Sequence, residues 1–161
     1  LRDAETDEDL DRIAAERSRL PARALWIGAS GLAGALAGRG AVPCPVLPAP
    51  LAAVVGSDHP ATAAQIARAP SVAVHRADIP PGTDRIARPG TLMATGGETL
   101  RALCAALGAD DLVVDGEFEP GVPASILRGG AWDGLRVVSK SGAFGTPDFL
   151  ARLARAIVPT S

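Results

Sequence analysis

Thr91-Leu-Met-Ala-Thr-Gly-Gly-Glu-Thr-Leu-Arg-Ala-Leu-Cys-Ala-Ala-Leu107 changes its pattern in the middle. Its first residues, Thr91 to Ala94, read as a short buried strand, whereas Leu100 to Leu107 is amphipathic with apolar residues at helical spacing. Between them stands T-G-G-E-T, so the order is strand, glycine turn, helix. A helix opening in this way leaves its first backbone N–H groups unpaired and turns the positive end of its dipole toward the turn. The missing side chains let a ligand come close, and phosphate is the anion such a turn usually holds.

Two further turns have the same character. K-S-G-A-F-G at Lys140 to Gly145 follows the apolar run Leu135-Arg-Val-Val138, and Val55-Gly-Ser-Asp-His-Pro-Ala-Thr62 offers hydroxyls at Ser57 and Thr62. Working outward from these, strands and helices alternate. Thr6 and Asp9 resemble a capping pair for a helix over Asp7 to Ser18, and Ser30 stands as the cap of a helix through Leu36, after the short apolar run Ala24 to Ile27. Leu51 to Val55 and Ser71 to His75 read as strands around a helix from Pro60 to Arg68. Asp111 to Phe118 and Leu135 to Val138 are further strands separated by a loop, Glu119 to Gly134, and Pro147 to Ile157 closes the chain as a helix. Two proline-rich connectors, Ala41 to Pro50 and Arg76 to Pro89, read as surface loops. The expected fold is α/β, a mainly parallel sheet with helices on both faces in Rossmann-like layers, with ligands at the carboxyl ends of strands.

Composition narrows the function. The 161 residues suit about one domain. Aromatic residues make up 3 % and there is no Tyr, which argues against stacking on nucleic-acid bases; a net charge of −2 without a basic stripe argues against binding its backbone. No apolar run reaches membrane-spanning length, and the acidic start is unlike a signal peptide, so a cytoplasmic protein is expected. Cys44 and Cys104 lack metal or redox spacing and read as buried free thiols; no metal-ligating residue is assigned. A dinucleotide fingerprint at Gly28 to Gly34 has Ser30 where glycine is needed, and a serine-hydrolase elbow at Ser30 fails at its last position.

Five stretches in order resemble the C-terminal nucleotide-binding domain of the four-carbon acid sugar kinases: G-A-S-G-L-A at Gly28 to Ala33, G-S-D-H-P-A-T-A-A-Q-I at Gly56 to Ile66, G-G-E-T-L-R-A-L at Gly96 to Leu103, G-E-F-E-P-G-V-P at Gly116 to Pro123, and V-S-K-S-G-A-F-G at Val138 to Gly145. The resemblance covers nearly the whole chain, residues 1–161, and the D-A-E-T-D-E-D-L opening looks like the family's crossing from its first domain into its second. It implies an ATP-dependent phosphotransferase, with Mg²⁺, acting on the terminal hydroxyl of a threonate, erythronate or 3-oxo-tetronate type acid. By the same resemblance Ser57 contacts ATP, Gly96, Gly97, Glu98 and Thr99 form the main nucleotide loop, and Gly142 or Gly145 closes the site.

The family's Asp-rich substrate motif has no match here, so the resemblance leaves the catalytic base unassigned and implies that a substrate domain is supplied separately or is missing; association follows, a homodimer being one form. Between Val74 and Gly96 the connection is much shorter than the family usually carries. A non-catalytic ligand-binding domain that has lost turnover is the alternative. Several side chains keep two readings. Glu98 is a metal- or ribose-facing group or a first-turn acid favoured by the dipole, and Glu117 and Glu119 face a cleft or solvent. His59 is a hydrogen-bonded loop residue or a base, and Lys140 reaches phosphate or lies on the surface.

Overall fold

The computed structural model describes residues 2–21, 23–38, 40, 42–77 and 86–159. The proline-punctuated stretch at Pro80 to Gly82 lies outside them. The chain divides into two compact units, Leu1–Ala41 and Val42–Ser161, so the first proline-rich connector begins at the border between them.

In the first unit, α1 (Asp7–Ala15) starts from the expected capping box: Thr6 Oγ1 accepts from the Asp9 amide, and the Asp9 carboxylate accepts from the Thr6 amide. A 3₁₀ turn, Glu16–Arg19, continues it. Helix α2 (Ser30–Ala37) is capped by the backbone of Ala29 rather than by Ser30, which is already its first helical residue. The two helices pack against each other, yet neither buries a side chain. The apolar run before α2 forms no strand, and Leu25 and Ile27 are each 84 % exposed.

The second unit holds β1 (Leu47–Pro48), β2 (Leu51–Val55), α3 (Pro60–Ala67), β3 (Ala73–Arg76), β4 (Thr91–Thr95), α4 (Gly97–Leu107), β5 (Asp111–Glu119), β6 (Val122–Arg128), β7 (Arg136–Lys140), α5 (Phe149–Ala156) and β8 (Ile157–Val158). Six strands form one sheet in the order β3-β2-β4-β7-β6-β5, and β1 pairs with β8 separately. The pairs from β3 to β7 are parallel; β7 with β6 and β6 with β5 are antiparallel. The sheet is thus mainly parallel, as expected, but the presumed loop from Glu119 to Gly134 contains a whole strand, β6, joined to β5 through Pro120 and Gly121. Pro123 within that run masked it, since proline is rare in paired strands.

Alternation along the parallel strands loads both faces of the sheet. Ala53, Val55, Met93 and Val138 pack with Phe149, Leu150 and Leu153 of α5 and with Ile66 of α3. Ala52, Val54, Leu92 and Val137 pack with Leu103 and Leu107 of α4. Helices therefore cover both faces, and β4 is buried from end to end. Cys104 is half-buried beside the α4 core, whereas Cys44 is exposed, contrary to the expectation of two buried thiols: it lies among prolines in an irregular segment.

Candidate functional site

The parallel strands end level with one another. Val55, Thr95 and Lys140 are in register across β2, β4 and β7, so the turns beginning at Gly56, Gly96 and Ser141 leave one edge side by side. The Gly56 amide donates to the Thr95 carbonyl at 3.3 Å and the Gly96 amide to the Lys140 carbonyl at 2.9 Å, tying each turn to its neighbour. With strands about 4.8 Å apart, all three turns fall within about 10 Å. The chain then goes to opposite faces: α3 and α5 lie on one, α4 on the other. Where neighbouring strands send their helices to opposite sides, a crevice opens at the carboxyl edge. Here one opens on each side of the Gly96–Gly97 turn. The first, about 490 Å³, is polar and bordered by Gly56, Asp58, Arg76, Glu98, Thr99 and Arg101; the second, about 340 Å³, is mostly apolar and bordered by Gly97, Leu100, Gly121, Pro123, Ser141 and Phe144.

The glycines of these turns answer to different demands. Gly96 has φ +100°, a conformation that L side chains avoid. A Cβ on Gly142 would stand 2.1 Å from Ser57 Oγ, and Gly145, at φ +84°, is pressed against Gln65 and Phe149. Gly97 alone among the four has ordinary φ and nothing within 4 Å of where its Cβ would be. The fold does not require glycine there, and the start of α4 is left open to close approach.

The expected site residues are accordingly spread in role. Ser57 and Gly142 touch each other beside the Gly96–Gly97 turn, and Ser57 Oγ accepts from the His59 amide at 3.2 Å. Glu98 is exposed and paired with Arg101 at 2.9 Å, as suits an acid in a first helical turn. Thr99 is buried, filling the space that the absent side chain of Gly56 leaves. Gly145 sits apart from these, over α3 and α5.

Other candidates resolve into structural roles. His59 caps α3, its Nδ1 accepting from the Ala61 amide at 3.2 Å. Glu117 accepts from the Gly121 amide at 2.8 Å and closes the β5–β6 turn, while Glu119 pairs with Arg152 at 2.6 Å. Lys140 does not lie on the surface, although it borders the apolar crevice. It is 5 % exposed, and its ammonium donates to the Ser141 carbonyl at 2.9 Å above the ring of Phe149. Burial holds its pKa below the usual lysine range, against the pull of Glu119.

Sequence reasoning missed Gln65. It is buried, and its Nε2 donates to the carbonyls of Phe144, Gly145 and Thr146 at 3.0, 3.2 and 3.1 Å; Thr62 beside it donates to the Gly142 carbonyl at 2.9 Å. The signal was two polar residues, three apart, on the face of α3 that should have been apolar. Among the described residues no three His, Cys, Asp or Glu cluster to hold a metal, and no helix is long and apolar enough to cross a membrane.

Crevices flanking an unpaired helix start on a mainly parallel sheet place the chain among α/β domains with room for a ligand at the carboxyl edge, and residues 82–150 match the family described as the nucleotide-binding C-terminal domain. A D-threonate kinase of Cupriavidus necator is 31 % identical over 210 aligned positions, covering 89 % of this chain and 50 % of that protein. The alignment is longer than the chain itself, so that relative carries segments with no counterpart here. A D-threonate kinase of Bordetella bronchiseptica is 46 % identical over 66 residues, 41 % of this chain and 16 % of that protein. A solved domain of unknown function from Bordetella bronchiseptica, crystallised with citrate as a domain-swapped dimer, superposes with a TM-score of 0.57 at 27 % identity, over 96 % of this chain and 50 % of that one. On these matches the chain is identified with the C-terminal nucleotide-binding domain of the four-carbon acid sugar kinases. It spans about half the length of the Cupriavidus relative.

Proposed function

We propose that this chain is the ATP-binding part of a kinase that transfers the γ-phosphoryl group of ATP to the terminal hydroxyl of a four-carbon sugar acid of the threonate, erythronate or 3-oxo-tetronate type. The observation that carries the reading is the level ending of β2, β4 and β7, which brings Ser57, Gly96, Gly97 and Gly142 to one edge. Backbone amides and a hydroxyl gathered there suit a chain of phosphates, and phosphoryl transfer needs mainly positioning and charge stabilisation. Mg²⁺ would neutralise charge on the phosphates. With no carboxylate cluster nearby among the described residues, the ion would be held chiefly by phosphate oxygens and water, with Glu98 and Asp58 the nearest carboxylates bordering the polar crevice. Arg76 and Arg101 border the same crevice in exposed ion pairs with Asp58 and Glu98, pairs weak enough to exchange for phosphate.

The sugar acid and its catalytic base belong, in this reading, to a partner half: a substrate domain on the same or another polypeptide, with a homodimer as the assembly. Exposed Leu25 and Ile27 support an association surface. The cytoplasm, where ATP and Mg²⁺ are plentiful, is the compartment this chemistry implies. Calorimetric titration with Mg-ATP, using NAD as the control, tests the proposal. We expect saturable ATP binding, no NAD binding, and loss of ATP binding in Gly97→Val with an unchanged melting temperature, because the added side chain meets open space in the free protein. Equal ATP affinity in Gly97→Val would remove the turn from the site.

A further inference from the structure

Residues 141–146 are fastened from below almost entirely through their carbonyls. Lys140 Nζ takes that of Ser141 at 2.9 Å and that of Gly142 at 3.5 Å, Thr62 takes that of Gly142, and Gln65 takes those of Phe144, Gly145 and Thr146. All three donors are buried: Thr62 and Gln65 on α3 and Lys140 at the end of β7. None of these peptides is cis, and in a trans peptide the N–H of the next residue points opposite to the carbonyl. Carbonyls drawn inward at Ser141, Gly142 and Phe144 therefore turn the amides of Gly142, Ala143 and Gly145 outward. The Phe144 amide is the exception, since it closes the turn on the Ser141 carbonyl at 3.1 Å.

We infer that Thr62, Gln65 and Lys140 are positioning residues that hold the 141–146 turn with its amides presented to the phosphates of the nucleotide, next to the unpaired start of α4; this rests on the ATP-binding reading above. Successive outward N–H groups form an anion-binding concavity without a side-chain charge in contact with the ligand. The buried ammonium of Lys140 adds positive potential from beneath, where it is poorly screened. The cost of the arrangement is visible in Gln65, whose Oε1 is buried without a protein hydrogen bond. A leucine there would fill the core without that cost, but would leave three carbonyls unheld. The requirement is the orientation of the turn rather than packing.

Thr62→Val removes one donor and keeps the shape; Thr62→Ser restores the donor. Inorganic tripolyphosphate and Mg-ATP are titrated into the wild type and both variants, and the wild-type amide spectrum is followed during the tripolyphosphate titration. We expect Thr62→Val to bind both about tenfold more weakly, the scale of one lost hydrogen bond, and Thr62→Ser to recover most of the loss. In the wild type the Gly142 and Ala143 amides should shift together with those of Gly97 and Glu98. Equal affinity in Thr62→Val, or shifts confined to the α4 start, would overturn the positioning role while leaving ATP binding intact. The amide spectrum decides the matter on the wild type even where a variant folds poorly. A wild type that binds neither probe overturns the nucleotide reading, and the positioning role with it.

Discussion

The parallel strands β2, β4 and β7 and the antiparallel hairpin β5–β6 belong to one sheet but obey different rules. The former are buried along most of their length and packed on both faces; β5 is an edge strand, largely exposed, with register shifts at Val114/Gly116 and Glu117/Glu119. Bulges are tolerated where an edge faces water and are excluded where side chains interlock on both sides. The candidate site follows this division. Its turns issue from the rigid strands, and the hairpin supplies only a wall, Gly121 and Pro123, to the apolar crevice.

The largest expected effect breaks the comparison into its two halves. Leu92→Ala, at a fully buried position on β4, should cost about 3 kcal/mol in chemical denaturation, whereas Val114→Thr on β5, 62 % exposed, should stay within about 0.5 kcal/mol. Comparable losses at the two positions would mean that the sheet is equally packed throughout. A middle-sized effect is expected at the hairpin turn. Glu117→Ala deprives the Gly121 amide of its acceptor and should lower stability by about 1 kcal/mol, with Glu117→Gln retaining most of it; identical midpoints for the two variants would deny the bond its role.

The same division explains what could be read in advance. Leu51 to Val55 and Thr91 to Ala94 show themselves as short apolar runs because burial on both faces leaves no polar alternative. β6 did not, since Pro123 interrupts its pattern. Its one legible sign was Pro120-Gly121, two turn residues between strand-like runs, and Gly121 does take the positive φ, +80°, that such a turn uses. At the turns, Gly96 and Gly145 were legible because a positive φ restricts residue choice. Lys140 and Gln65 were not: a polar side chain that turns under a loop and one that points to solvent leave the same letter in the sequence, and only the positions of their neighbours separate them.

Lys140 lies where the two regimes meet, at the end of the strand that pairs parallel with β4 and antiparallel with β6. Burial lowers its pKa, and Glu119 at the end of β5 opposes that shift across the boundary. Between the folded pKa and the unfolded value near 10.5 the unfolded chain binds the extra proton, so stability rises with pH through that window; below it both states are protonated and the cost of the buried charge is present in full. Lys140→Met removes the ionisation and should flatten this alkaline rise in the urea midpoint. Glu119→Gln removes the opposing carboxylate, which lowers the folded pKa further and should make the rise begin at lower pH. This is the smallest effect of the three and also the sharpest, because it depends on a charge in the hairpin acting on a charge at the end of the parallel strands. Identical pH profiles for the wild type and Glu119→Gln would show that the two halves of the sheet are electrostatically independent.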